Sequence, residues 1–154
     1  MDLSHLLTTK SIAPRLKASS KKQALQALAA FAADRTGASE SAIFECLLER
    51  ERLGSTGVGG GIAIPHGKLD ELEGLVGVLA RLDEPIDFEA VDEKPVDILF
   101  LLLAPKEAGA EHLKALACVS RFLRDQGVVN SLRGAESADA LFAIATARAE
   151  PDAA

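Results

Sequence analysis

Val96-Asp-Ile-Leu-Phe-Leu-Leu-Leu-Ala104 is the strongest strand signal in the chain, and Pro105 ends it. A strand with one wet face alternates apolar and polar residues; this one does not. Such a run is expected for a central strand covered on both faces. It is also far too short to span a bilayer. Covering both faces requires helices, and helical patterns flank the run on either side.

Upstream, Ser19 and Ser20 offer an N-cap, with Gln23 in the capping-box position. Leu25, Leu28, Ala29, Phe31 and Ala32 form the apolar face of a first helix, which Gly37 ends. Ser39 opens a second helix with Ile43, Phe44, Leu47 and Leu48 on one side, and its tail, Glu49-Arg-Glu-Arg52, reads either as a solvated charged end or as an element that leads an arginine into the glycine loop. Leu3, Leu6 and Leu7 predict one helical turn, with an irregular connection around Pro14. Leu75 to Leu82 predicts a strand that Glu84-Pro85 breaks. Downstream, helices are expected from about His112 to Asp125 (with Leu113, Leu116, Ser120 and Leu123 inward), from Val128 to Leu132, and from Ser137 to about residue 148. The pattern is α/β, with helices covering a small mixed sheet in a single domain over 1–154, its core about 3–147, and 149–154 a frayed tail.

Net charge is -6, and Trp and Tyr are absent, which argues against phosphate-backbone binding and base stacking as the main task. Cys46 and Cys118 show no CxxC spacing and read as buried thiols in a reducing compartment. Met1 to Lys10 lacks the basic start and apolar run of a signal peptide, so a soluble cytoplasmic protein without membrane insertion is expected.

The chemistry concentrates in Gly54-Ser-Thr-Gly-Val-Gly-Gly-Gly-Ile-Ala-Ile-Pro-His-Gly-Lys68. Its first half is a backbone free to take positive φ. Its second half is a short apolar strand, Gly61 to Pro65, that delivers His66 onto a loop between Pro65 and Gly67. His112 follows the central strand by one loop and opens a helix. Strand ends of α/β sheets gather at one edge, so the two imidazoles are expected to meet there. The alternatives are a turn histidine without chemistry at 66 and a solvent-facing residue at 112. Backbone N–H groups, two histidines and an arginine make an anion site, for which phosphate is the natural ligand. No Gly-Lys-Ser/Thr follows the loop and no HxxxH or HExxH spacing occurs, so neither nucleotide nor metal binding is expected.

From Arg50 to Lys68 the sequence closely resembles the signature of the fructose/mannitol-type IIA proteins of the phosphoenolpyruvate-dependent phosphotransferase system, and within them the nitrogen-related branch. The resemblance runs from Leu3 to about Ala147 and implies a mixed sheet sandwiched by helices. It further implies that His66 accepts a phosphoryl group, that His112 and Arg50 stabilise it, and that the backbone of Gly57, Gly59, Gly60 and Gly61 lines the phosphoryl site. Gly60 stands where relatives carry Asn or Glu, so backbone N–H groups alone are expected from that loop. No cofactor is implied. The implied donor is a phosphohistidine carrier of the NPr or HPr kind. The rim toward that carrier is expected to be apolar and, in keeping with the negative balance of the chain, to carry Asp70, Glu71 and Glu73 as acidic residues suited to a basic partner. The implied output is regulatory, toward targets such as a potassium transporter or a sensor kinase; the alternative is a sugar-specific component that passes phosphate to a IIB partner.

Overall fold

Residue alternation along one strand divides the core in two. The computed structural model describes residues 2–147, so the tail expected at 149–154 lies outside the described residues. The strand is β6, Val96–Pro105, and Ile98 to Ala104 are fully buried. Leu99, Leu101 and Leu103 pack with Leu25 and Leu28 of α1 (Lys21–Thr36) and Ile43 and Leu47 of α2 (Glu40–Arg52). Ile98, Phe100 and Leu102 pack instead with Val119 of α3 (Ala110–Arg124), Leu132 of α4 (Gln126–Gly134) and Leu141 of α5 (Ala138–Thr146). The absence of alternation in the sequence therefore has the expected cause: both faces of this strand are covered.

The remaining strands are β1 (Ile12–Leu16), β2 (Gly57–Gly59), β3 (Ile62–Ala63), β4 (His66–Leu69) and β5 (Val76–Ile86). They form one mixed sheet in the order β1-β5-β6-β3-β2, with β4 also paired to β6. β5 runs antiparallel to β6, while β3 and β4 run parallel to it. β3 pairs with Ile98 and Leu99, and β4 with Leu102 to Pro105, so the two lie end to end along one edge of β6. Pro65 bridges them, because its carbonyl still accepts the Leu102 N–H at 3.0 Å.

The helix starts follow the sequence. Ser20 and Ser39 accept from the N–H groups of Gln23 and Ala42, and Gly37 closes α1 at φ 78°. The Gln23 side chain returns to Ser19 rather than to Ser20. The predicted turn at Leu3 is a 3₁₀ turn over Leu3–His5.

Four expectations need correction. The connection around Pro14 is the edge strand β1, pairing Ile12 with Leu79, since an edge tolerates a residue without an N–H. β5 continues through Pro85, which sits where its register with β6 slips between Arg81 and Ile86. The buried stripe of α3 is His112, Ala115, Cys118, Val119 and Leu123; of the predicted face Leu123 is buried and Leu116 packs partly against the core, but Leu113 is 66% exposed. Finally, His66 does not sit on a loop after a strand: it is the first residue of β4, because pairing with β6 resumes immediately beyond the proline.

That register fixes the directions of two neighbours. His66 pairs with Leu102, of the α3 face, while Gly67 pairs with Leu103, of the α2 face. A methyl group on Gly67 would overlap the sulfur of Cys46 in α2. Replacing Gly67 with Ala should therefore cost about 1–3 kcal/mol of stability. Adding Cys46→Ala should recover most of that loss in urea unfolding. Equal stability of the wild type and the Gly67→Ala protein would show that the layers are not in such close contact.

Candidate functional site

The end-to-end junction of β3 and β4 opens into a cleft of about 550 Å³. His66 enters it from β4, His112 from the first turn of α3, and Arg50 from the last turn of α2. The sequence separates these residues widely; the sheet edge brings them together. Arg52, Lys68, Glu49 and Cys46 complete much of the wall. Three cations against one carboxylate make this cleft positive on a chain whose net charge is -6. It is suited to an anion.

Both ring nitrogens of His66 are engaged. Nδ1 lies 2.8 Å from the carbonyl oxygen of Ile64. A carbonyl can only accept, so Nδ1 carries the proton and Nε2 keeps its lone pair. Nε2 receives the Arg50 Nε–H at 3.3 Å, and Arg50 Nη1 donates to the Gly54 carbonyl at 3.1 Å. Burial lowers the pKa of His66, and the Arg50 charge lowers it further, against the opposing effects of the Ile64 bond and Glu51. The ring is therefore held as a neutral imidazole with a lone pair directed at a guanidinium, a combination suited to nucleophilic attack on an anionic electrophile.

The His112 ring centroid lies 5.9 Å from that of His66, with the planes at 45°. The residue is only 7% exposed, so the solvent-facing alternative does not hold. Its Nδ1 is the one buried side-chain nitrogen or oxygen among the described residues without a hydrogen-bond partner. Unsatisfied buried groups of this kind cost about 1–3 kcal/mol and concentrate where a ligand is handled. Burial lowers the His112 pKa, followed by the charges of His66 and Lys68. The first turn of α3 has no side-chain cap at Gly109, and within that turn the Glu111 N–H donates to the Ala108 carbonyl at 3.1 Å.

The glycine loop is placed differently from expectation. None of Gly57, Gly59, Gly60 and Gly61 lines this cleft, and Gly59 and Gly60 face a separate cavity beside Ile64 and Arg124. Gly57 donates its N–H to Ser55 Oγ, and Gly60 donates to Asp92 Oδ2 at 2.9 Å. The positive φ angles of Gly59, Gly60 and Gly61 (101°, 68° and 83°) serve the tight turn between β2 and β3, which bonds to Asp92 in the loop after β5. Asp70, Glu71 and Glu73 are all exposed. Asp70 pairs with Lys106 at the surface, and Glu71 accepts the Ser39 N–H at the start of α2. Leu53, 84% exposed, gives the cleft an apolar rim residue.

One buried group escaped the sequence reading. Glu51 lies within the run read as solvated, yet it is 8% exposed. Its carboxylate accepts the Thr56 N–H at 3.0 Å, accepts the Thr56 hydroxyl, and pairs with Lys21 at 2.8 Å. The signal was present: Glu51 continues the Ile43–Leu47 stripe at the next four-residue step, a core position. Among the described residues no group of three or more His, Cys, Asp or Glu is placed to hold a metal. No helix among them is long and apolar enough to cross a membrane.

The lowered histidine pKa values give a pH dependence with a definite sign. Both residues should titrate below the ordinary value of 6.5 in an NMR pH titration. The unfolded chain then takes up protons first as pH falls, so their contribution is complete above about 6.5 and is lost on acidification toward the folded values. A titration midpoint at or above 6.5 for His66 would contradict its described burial.

Comparison with known proteins identifies the family. Residues 5–147 match the family "Phosphoenolpyruvate-dependent sugar phosphotransferase system, EIIA 2". The chain is 56% identical over 144 residues to a nitrogen regulatory protein of Bradyrhizobium diazoefficiens, covering 94% of each. It is 42% identical over 147 residues to the nitrogen regulatory protein of Escherichia coli, covering 95% of this chain and 90% of that one. The crystal structure of the nitrogen regulatory protein IIA-Ntr from Neisseria meningitidis superposes with a TM-score of 0.87 at 35% identity, covering 94% of this chain and 99% of that one. The chain belongs to the EIIA 2 family of the phosphotransferase system, in its IIA-Ntr branch.

Proposed function

We propose that this protein is a regulatory phosphocarrier that accepts a phosphoryl group on His66 Nε2 from a phosphohistidine of a small NPr- or HPr-like carrier. The observation that carries the reading is the fixed tautomer, with Nδ1–H on the Ile64 carbonyl and the Nε2 lone pair in a cationic cleft. The Nε2 lone pair forms the new N–P bond as the carrier's N–P bond breaks, and the departing imidazole keeps that electron pair. Because Nδ1 retains its proton, His66 need not exchange one during the step. Negative charge spreads over the equatorial oxygens. Arg50, displaced from Nε2, turns its guanidinium to them, and His112 donates from its ring. Positioned donors of this kind stabilise the transition state more than the ground state.

The cost of leaving a neutral imidazole for a neutral imidazole is nearly balanced, which makes the step reversible and suits a reporter. The phosphorylated cleft loses its positive charge, and other proteins distinguish the two states by that change. Potassium transport and sensor kinases are target classes in keeping with such an output. The match to relatives named as nitrogen regulatory proteins, over nearly the whole chain, favours this reading over onward transfer to a sugar-specific IIB partner.

Incubation with phosphorylated NPr-like and HPr-like carriers, followed by intact-mass measurement, should show a single phosphoryl group on the protein. It should be acid-labile and absent from His66→Ala. Labelling that survives this substitution would refute His66 as the acceptor. Replacing His112 with Ala should leave labelling possible but slow transfer by roughly 100-fold; unchanged forward and reverse rates would remove His112 from the chemistry.

A further inference from the structure

The buried polar residues among those described are Glu51, Thr56 and His112. His112 belongs to the cleft; Glu51 and Thr56 do not touch it, and the mechanism above uses neither. Two paths lead from the Glu51 carboxylate to the two nitrogens of His66. Along the first, Thr56 is bound through its N–H and hydroxyl, its carbonyl accepts the Ile64 N–H at 3.0 Å, and the Ile64 carbonyl holds His66 Nδ1 at 2.8 Å. Along the second, Glu51 fixes the last turn of α2, in which the preceding residue, Arg50, reaches His66 Nε2. Lys21 of α1 neutralises the carboxylate at 2.8 Å, so the buried charge has a partner.

From this connectivity we infer that Glu51 is a positioning residue for the phosphoryl acceptor: it sets the Nδ1–H tautomer of His66 and the approach of Arg50 without touching the reacting atoms. A carboxylate suits the task because it accepts several donors at once and offers none that would compete. A glutamine keeps the shape but loses one acceptor oxygen and the charge that holds Lys21. The Thr56–Ile64 segment then slackens, and His66 is free to place its proton on Nε2, where it blocks the lone pair. Placement errors of this size are costly to transfer rates.

The inference rests on His66 being the acceptor, so the test uses one readout that depends on phosphotransfer and one that does not. In the intact protein, ¹⁵N NMR of the His66 ring should show Nδ1 protonated in the wild type and a mixture with Nε2–H in Glu51→Gln. The maximal transfer rate from saturating phosphorylated carrier should fall roughly 10- to 100-fold, with the half-saturating carrier concentration unchanged. Lys21→Met and Thr56→Val each remove one partner of the carboxylate, and they should show the same two changes in smaller measure. Glu51→Gln with the wild-type tautomer would overturn the inference even if its rate fell, because a purely structural loss would then explain the rate. If Glu51→Gln does not fold, wild-type tautomer and rate in both Lys21→Met and Thr56→Val would overturn it equally. A wild-type protein that accepts no phosphoryl group from either carrier would instead refute the acceptor role, and the tautomer measurement would still decide the positioning.

Discussion

Parallel pairing of two short strands, end to end, along one edge of β6 is the constraint on which the site depends. The break between them falls at Ile64-Pro65, and a proline is tolerated there because the segment lies at the sheet edge and only its carbonyl is needed. The Gly61 and Pro65 carbonyls accept from β6, so the alternating Ile64 carbonyl points away from β6 and is available to the His66 ring. Pairing then resumes at once, so the ring that receives this bond is attached to ordered strand. A histidine on a free loop would lose this orientation to rotamer entropy.

The two helix layers meet the same edge from opposite sides. α3 presents His112 to the face toward which His66 points, and α2 brings Arg50 across the strand end to Nε2. Gly67 allows α2 this approach, since its missing side chain leaves room for Cys46. The local chemistry is thus an outcome of layer packing: a wider gap on the α2 side would separate the guanidinium from the imidazole. The burial that keeps both histidines neutral has the same origin.

The glycine-rich turn illustrates how composition can mislead. Consecutive glycines before a histidine resemble an anion cradle, and in isolation their N–H groups would serve as one. Here Gly57 and Gly60 donate theirs to Ser55 and Asp92, the latter holding the hairpin against the loop after β5. Its contribution to the cleft is indirect. By closing β2 against β3 it keeps Thr56 and Ile64 in register, and these residues connect to the acceptor ring.

The sequence alone determined the layered α/β class, because an apolar run without alternation demands cover on both faces, and it singled out His66, His112 and Arg50 through the Pro-His-Gly corner, the helix start and the family resemblance. Local rules also placed the caps of α1 and α2, since a serine oxygen and the N–H groups it satisfies lie within one turn of each other. What only the tertiary structure decided were features set by distant partners. The strand character of Pro14 and of His66 comes from pairing with β5 and β6; the rotation of α3 comes from docking against the sheet; the tautomer of His66 comes from a carbonyl whose freedom depends on that pairing. Glu51 marks the boundary between the two. Its helical phase was legible in the sequence, but a carboxylate at a core position gains a meaning only when Lys21 and Thr56 converge on it, and that convergence is long-range packing of α1, α2 and the loop.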